Sequence, residues 1–167
     1  MPSRSLLKNL RQALETPPKL QSRRRIVVVG VGSALRSDDV AGIRIAERLH
    51  ELAIDGVHTV IGHTAPENVT GEIRRFAPSH VLFVDAADLG QAPGSVRVFE
   101  SADIGGMTSS THTLPLHVIA DYLKKELGCR VLFLGLQTKS LEFGDVISGE
   151  VAAAIEETVA ALAEALR

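Results

Sequence analysis

From Ile26 to the end of the chain, short apolar runs alternate with segments whose apolar residues recur at helical spacing. Short apolar runs are typical of buried strands, whereas a repeat of three to four residues indicates an amphipathic helix. Their alternation predicts an α/β fold, a three-layer αβα sandwich with helices on both faces of a mostly parallel sheet. Strands are predicted near residues 26–31, 57–61, 80–85, 95–99 and 130–136, and helices near residues 40–54, 67–77, 114–127 and 147–166.

The strand predicted at residues 95–99 differs from the others in its connection. Only eight residues, 87–94, separate it from the end of the preceding strand at Ala86. A helical crossover between parallel strands needs about a dozen residues or more. We therefore expect this strand to run antiparallel at one edge of a five-stranded sheet.

Residues 1–25 differ from the rest of the chain in charge. They contain seven Lys or Arg residues against one Glu, whereas residues 26–167 contain 11 Lys or Arg against 19 Asp or Glu. Leucine and alanine recur at helical spacing before Pro17, which predicts a basic amphipathic helix and a linker. We divide the chain into this segment and one αβα domain over residues 26–167, a length that suits a single core. The helix could cover the domain's own surface or dock on a twin subunit or a partner.

Charge and composition exclude several classes of protein. A nucleic-acid surface needs clustered Lys and Arg, and the body of this chain is acidic. Cys129 is the only cysteine, so no internal disulfide can form, which is typical of a reducing compartment. Charged residues interrupt every apolar stretch before it reaches the roughly 18 residues of a membrane span or builds a signal-type apolar core. We therefore expect a soluble, cytoplasmic protein.

Acidic residues follow the first and third predicted strands. Asp38 and Asp39 come after the glycine loop Gly30-Val31-Gly32, and Asp85 ends the apolar run 81–84. The carboxyl ends of parallel strands meet at one edge, where open α/β sheets bind their ligands. The position of Asp38 directly before a predicted helix favours a helix N-cap. Asp39 and Asp85 are therefore the stronger candidates for a site.

The glycine loop does not match a phosphate-binding motif. Leu35 occupies the place of the third glycine of a dinucleotide fingerprint, and no Gly-Lys-Ser/Thr follows. The glycines instead favour a tight turn in which the backbone passes close to the site. Acidic residues after such a turn indicate a cation as the ligand.

His112 is the histidine that we group with the two aspartates. It follows a hydroxyl-rich segment, Thr108–Thr111, and precedes a predicted helix; His63, after the second strand, is the other candidate near this edge. Two carboxylates and an imidazole form an O, O, N donor set that suits nickel or zinc and leaves coordination positions open. Asp39, Asp85 and His112 are therefore the predicted metal-contacting and catalytic residues.

Five segments occur in the order and at the spacing of one known family. The chain from about Ile26 to Leu166 resembles the [NiFe]-hydrogenase maturation endopeptidases, most nearly the type that processes the large subunit of formate-hydrogenlyase-like hydrogenases (hydrogenase-3 type). Ser33 stands where this family usually has Asn, and Val40 stands where Gly commonly follows the acidic pair. The matching segments are Gly30–Asp39, Ala65–Asn68, Val84–Gly90, Thr111–Leu116 and Phe133–Gln137.

The resemblance implies an αβα peptidase domain with a specific task. Members of the family remove a C-terminal extension from the large-subunit precursor after nickel insertion, and their metal-contacting positions fall on Asp39, Asp85 and His112. Nickel would arrive with the precursor, already held by cysteine thiolates, and we expect no tightly held cofactor of the protein's own. The expected partner is the [NiFe]-hydrogenase large-subunit precursor, and a homodimer is compatible with the sequence.

Two mechanisms and two rival functions stay open at this point. Either nickel polarises a carbonyl or activates water while the three residues orient it, or a carboxylate such as Asp39 acts as general base, as in aspartyl-type endopeptidases. A phospho-receiver domain also has an acidic pair, an aspartate after its third strand and a lysine after its fifth, where Lys139 lies. A free-standing zinc hydrolase would use the same donor set as the family.

Overall fold

The computed structural model describes residues 1–16, 24–100 and 116–167. Along these residues, helices and strands alternate as the apolar pattern predicts. The strands are β1 (Ile26–Val31), β2 (Val57–His63), β3 (His80–Ala87), β4 (Val96–Glu100) and β5 (Arg130–Gln137). The helices are α1 (Arg4–Ala13), α2 (Ala41–Glu51), α3 (Thr70–Phe76), α4 (Leu116–Leu127) and α5 (Gly149–Leu166), with 3-10 turns at Ser37–Val40 and Pro66–Val69.

The described strands form one mixed sheet in the order β2-β1-β3-β5-β4. β1 pairs in parallel with β2 and β3, and β3 pairs in parallel with β5. β4 lies at the edge and pairs antiparallel with β5, with Val98 opposite Leu134. The antiparallel edge strand predicted from the eight-residue connection is therefore confirmed.

Helices cover both faces of the sheet, which confirms the three-layer αβα architecture. Along β1, Ile26 and Val28 belong to the apolar cluster under α1, α2 and α5. Val27 and Val29 belong to the opposite cluster, which Ile73 of α3 and the buried face of α4 complete. Successive strand residues point to opposite faces, so a sheet covered on both sides needs continuous apolar strands.

Two predicted helices are shorter than their apolar patterns indicate. α2 begins at Ala41 because Ser37–Val40 forms a 3-10 turn, and it ends at Glu51, before Ala53 adopts a left-handed conformation (φ 45°). The helix predicted at 67–77 divides into a 3-10 turn and the short helix α3, which Ala77 ends in the left-handed region. Helical spacing alone does not distinguish these tight turns from the first turn of an α-helix.

α1 packs on the protein's own core. Leu6, Leu10 and Leu14 are buried in the same cluster as α5. The guanidinium of Arg11 donates to Glu164 of α5 at 3.0 Å, and the carbonyl oxygen of Glu15 accepts a hydrogen bond from Nε2 of His80 at 3.2 Å. Of the three locations open to this helix, the described structure shows the first, the domain's own surface. Among the described residues, no helix combines the length and the apolar character that crossing a bilayer requires.

Candidate active site at the carboxyl edge of the sheet

The glycine loop after β1 folds back tightly over the acidic segment. Gly32 has a φ of 145°, which side chains rarely allow, and a Cβ there would overlap the carbonyl oxygen of Asp39. The Gly32 N–H donates to the carbonyl of His63 at 2.9 Å, and the Ser33 N–H donates to the carbonyl of Asp39 at 3.2 Å. The predicted close backbone approach is therefore present, and its partner is the acidic segment itself.

α2 begins directly on the ends of β1 and β3. A Cβ added to Gly42 would overlap the carbonyl oxygens of Val31 and Val84. Only a glycine allows this approach. Asp39 precedes Gly42 by three residues and Asp85 follows Val84 by one, so the crossing brings both aspartates to the same edge of the sheet.

Asp39 and Asp85 are both largely buried at this edge. Asp39 exposes 3% of its surface and Asp85 exposes 5%. Asp39 lies in the 3-10 turn that contacts β3, and Asp85 lies opposite Gly135 in the register of β3 and β5. Buried carboxylates are costly to desolvate, so their concentration at one edge indicates a role beyond packing.

Asp38 anchors a distant loop and does not cap α2. Its carboxylate accepts hydrogen bonds from the backbone N–H groups of Lys139, Ser140 and Ser148 at 2.8, 3.0 and 2.8 Å. The hydroxyl of Ser148 adds a further bond at 2.9 Å. Val40 occupies the N-cap position of α2, so the N-cap prediction for Asp38 was wrong. The local sequence before α2 shows no sign of these partners, which lie more than 100 residues away.

These bonds set the ionisation of Asp38. Burial alone would raise the pKa of its carboxyl group. The hydrogen bonds from Ser140, Ser148 and Lys139 stabilise the charged form and outweigh burial, so the pKa lies below its ordinary value. Asp38 is therefore a charged, fully buried link between the loop after β1 and the loop after β5.

Gln137 is a further residue of this edge, although the sequence marks it only as the last residue of the matching segment Phe133–Gln137. It ends β5 and exposes 8% of its surface. Its Oε1 accepts hydrogen bonds from the N–H groups of Leu89 and Gln91 at 2.6 and 3.4 Å, and its Nε2 donates to the carbonyl of Thr138 at 3.1 Å. Gln137 thereby positions the loop that leaves β3 just after Asp85. A polar residue at the end of an otherwise apolar strand was the available signal, as it was for Asp85.

Lys139 differs from the lysine that a phospho-receiver requires. Its Nζ donates to Oε1 of Glu150 at 2.9 Å on the surface of α5, and its backbone N–H binds Asp38. The antiparallel β4 also departs from the all-parallel sheet of that rival. The described structure therefore favours the peptidase interpretation over the receiver.

The structure describes one of the two candidate histidines near this edge. His63 is exposed at the end of β2 in a left-handed conformation (φ 50°). His112 lies outside the described residues, so its grouping with Asp39 and Asp85 stays a prediction. Within residues 1–16, 24–100 and 116–167, no cluster of three or more His, Cys, Asp or Glu side chains could hold a metal ion.

The sheet order and the two aspartates define an αβα protein with an acidic site at the carboxyl edge, and known proteins share this fold. Residues 43–165 match the family described as "Hydrogenase maturation protease" (HycI). The hydrogenase 3 maturation protease of Escherichia coli K12 is 36% identical over 118 residues, which cover 70% of this chain and 75% of that protein. The chain therefore belongs to the hydrogenase maturation protease family, a family of peptide hydrolases.

Solved structures agree with this assignment. The crystal structure of a [NiFe] hydrogenase maturation protease HycI from Thermococcus kodakarensis KOD1 has a TM-score of 0.79 at 33% identity, over 87% of this chain and 94% of that one. The solution structure of the endopeptidase HycI from Escherichia coli has a TM-score of 0.73 at 33% identity, over 81% and 87% of the two chains. The family match itself contains Asp85 and His112 and begins four residues after Asp39.

Proposed function

We propose that the protein is an endopeptidase that removes the C-terminal extension of a [NiFe]-hydrogenase large-subunit precursor after nickel insertion. In this proposal, Asp39, Asp85 and His112 contact the nickel that the precursor carries. The observation that carries it is the position of Asp39, in the turn after β1, and of Asp85, in the neighbouring strand β3, at the same edge of the sheet beside the start of α2, in a chain of this family.

The donor set suits the proposed substrate metal. Carboxylate oxygens and an imidazole nitrogen can complete the coordination of nickel that is already held by thiolates. Asp39 and Asp85 are nearly shielded from water, which strengthens their interaction with a cation. By strand alternation Asp85 shares a sheet face with Phe83, and α4, which begins four residues after His112, packs on that same face. The short connection between His112 and α4 supports the proposal that His112 belongs to the same site as Asp39 and Asp85.

Two chemical roles are available to the aspartates. With nickel as a Lewis acid on the substrate, Asp39 and Asp85 orient the metal, and precursor without nickel has nothing for them to bind. As a general base, one carboxylate takes a proton from the attacking water, as in aspartyl-type peptidases. In both roles the loops tied by Asp38 and Gln137 fix the edge on which the aspartates lie.

Cleavage of nickel-loaded and nickel-free precursor tests the proposal. We expect the wild-type protein to cut the loaded form alone, and Asp39→Asn, Asp85→Asn and His112→Ala to reduce the rate by roughly 100-fold or more. Asp55→Asn is the matched control, because Asp55 is exposed in the loop before β2, at the opposite end of the sheet. Equal cleavage of nickel-free precursor would contradict nickel sensing, and full activity of both Asn variants would contradict the site.

Metal content separates this proposal from a free-standing zinc hydrolase. A protein that reads its substrate's metal should be purified with far less than one metal ion per chain. Retention of about one zinc ion per chain, lost together with activity on chelation, would support the zinc enzyme instead.

We propose the cytoplasm as the place of action, where a chain with one buried thiol, Cys129, needs no disulfide.

A further inference from the structure

Three large apolar side chains are exposed on the two loops that flank the acidic segment. Leu35, after β1, exposes 65% of its surface, and Phe143 and Val146, after β5, expose 81% and 75%. We call these three residues the apolar patch. Single exposed apolar residues are common on proteins, but neighbouring ones next to a site indicate an interaction surface.

The two loops form one unit through their backbones. The Gly144 N–H donates to the carbonyl of Leu35 at 3.0 Å, and the Ser37 N–H donates to the carbonyl of Gly144 at 2.9 Å. The Ser37 hydroxyl donates to the carbonyl of Glu142 at 2.8 Å. The Arg36 guanidinium lies 5.8 Å from the centroid of the Phe143 ring, within the range of a cation–π contact. The patch is therefore presented on a connected surface.

The same unit is fixed to the candidate catalytic segment. Asp38, which directly precedes Asp39, binds the loop after β5 at its start and at Ser148. The Asp39 N–H donates to the carbonyl of Arg36 at 3.0 Å. A molecule seated on the patch would therefore be held at a fixed distance from Asp39.

We propose that the apolar patch docks the folded large-subunit precursor, through an apolar surface beside its C-terminal extension. This inference rests on the proposed function. The patch continues the edge where the scissile segment must lie, and charged residues (Arg36, Glu142 and Asp145) surround it, as at a protein–protein interface. Three side chains are few beside the roughly 20–30 residues that each partner of a stable complex contributes, which suits a transient encounter with substrate better than a permanent dimer.

Kinetics on the whole precursor test the docking surface. We expect Leu35→Ser and the double variant Phe143→Ser/Val146→Ser to raise KM about tenfold or more, with most of the loss in kcat/KM coming from KM, because docking forms contacts that persist in the transition state. Phe143→Leu keeps an apolar side chain and should retain most of the affinity. Leu52→Ser is the matched control, since Leu52 is 42% exposed just after the C-terminal end of α2, at the far end of the sheet.

Binding without cleavage provides the second measurement. In an Asp39→Asn background, the Kd for nickel-loaded precursor should rise about tenfold or more in the patch variants and stay within about twofold of the parent in Leu52→Ser. An unchanged Kd and KM in the patch variants would overturn the inference. A wild-type dimer that these variants convert to a monomer, with KM unchanged, would assign the patch to a second copy and also overturn it. Failure of the wild-type protein to cut any loaded precursor would instead reject the proposed function.

Discussion

The carboxylate of Asp38 accepts hydrogen bonds from both the backbone N–H and the hydroxyl of Ser148, at 2.8 and 2.9 Å, across 110 residues of sequence. Ser148 is the N-cap residue of α5. This contact joins the segment before α2 to the start of the last helix. The candidate catalytic segment is thus tied to the last helix as well as to α2.

Asp38→Asn should lower the free energy of unfolding by about 2–4 kcal/mol. An amide nitrogen would face backbone N–H donors, so at least one buried donor would lose its acceptor. Urea unfolding measures the change, and Asp55→Asn serves as an exposed control. A loss below about 0.5 kcal/mol would contradict the structural role of the carboxylate.

His80 should make the protein less stable in mild acid. Burial lowers the pKa of its imidazole. The hydrogen bond that Nε2 donates to the Glu15 carbonyl opposes this effect, and the nearby charges of Arg130 and Arg24 lower the pKa further. The unfolded chain then binds the proton more readily than the folded one, so stability is complete above about pH 6.5 and falls as the pH drops towards the depressed pKa.

Urea unfolding at several pH values from 7.5 to 5 checks this sign. His80→Gln should flatten the dependence in that range, whereas His117→Gln, at an exposed position on α4, should leave it unchanged. Equal slopes for the wild type and His80→Gln would show that His80 does not carry the effect.

Gly42→Ala should destabilise the protein by about 3 kcal/mol, because its Cβ would overlap backbone carbonyls and displace α2 from β1 and β3. Gly71→Ala is the control: it also lies in a helix, but its Cβ would meet only Arg75, at 3.8 Å. There, alanine should be neutral or stabilising by up to about 1 kcal/mol. Thermal unfolding of the two variants compares them directly, and similar effects would refute the close approach.

Gln137→Leu should loosen the loop after β3 while the sheet stays folded. Leu89 and Gln91 would lose the acceptor of their backbone N–H groups, so their amide hydrogens should exchange about tenfold faster or more. Gln12→Leu, an exposed glutamine on α1, is the control. Unchanged exchange at both amides would remove Gln137 from the positioning role assigned to it.

The strands and the layers could be predicted because they depend on periodicity and connection length. The apolar run 26–29 and the eight residues between Ala86 and Ser95 contain enough information to place β1 inside the sheet and β4 at its edge. Asp85 could be recognised as a candidate because a charge at the end of an apolar strand is costly unless a partner or a ligand stabilises it. Its burial at the carboxyl edge agrees with that argument.

The role of Asp38 could not be predicted from its neighbours. An aspartate before a helix has a local explanation, and the donors that it binds lie in a loop that only the folded chain brings near. The apolar patch is hidden for the same reason: Leu35 and Phe143 are 108 residues apart and look like unrelated loop residues. Long-range contacts between loops leave no periodic trace in a sequence.

The burial of α1 has a practical consequence for shortened versions of the protein. Leu10 has no exposed surface, and Leu6 and Leu14 expose 8% and 2%. A chain trimmed to start at Ile26 would expose the apolar surface beside α5 that these leucines cover. By analogy with Leu→Ala changes in cores, its free energy of unfolding would fall by several kcal/mol. Such a fragment would be prone to aggregate, so preparations for biochemical work should retain the amino-terminal helix.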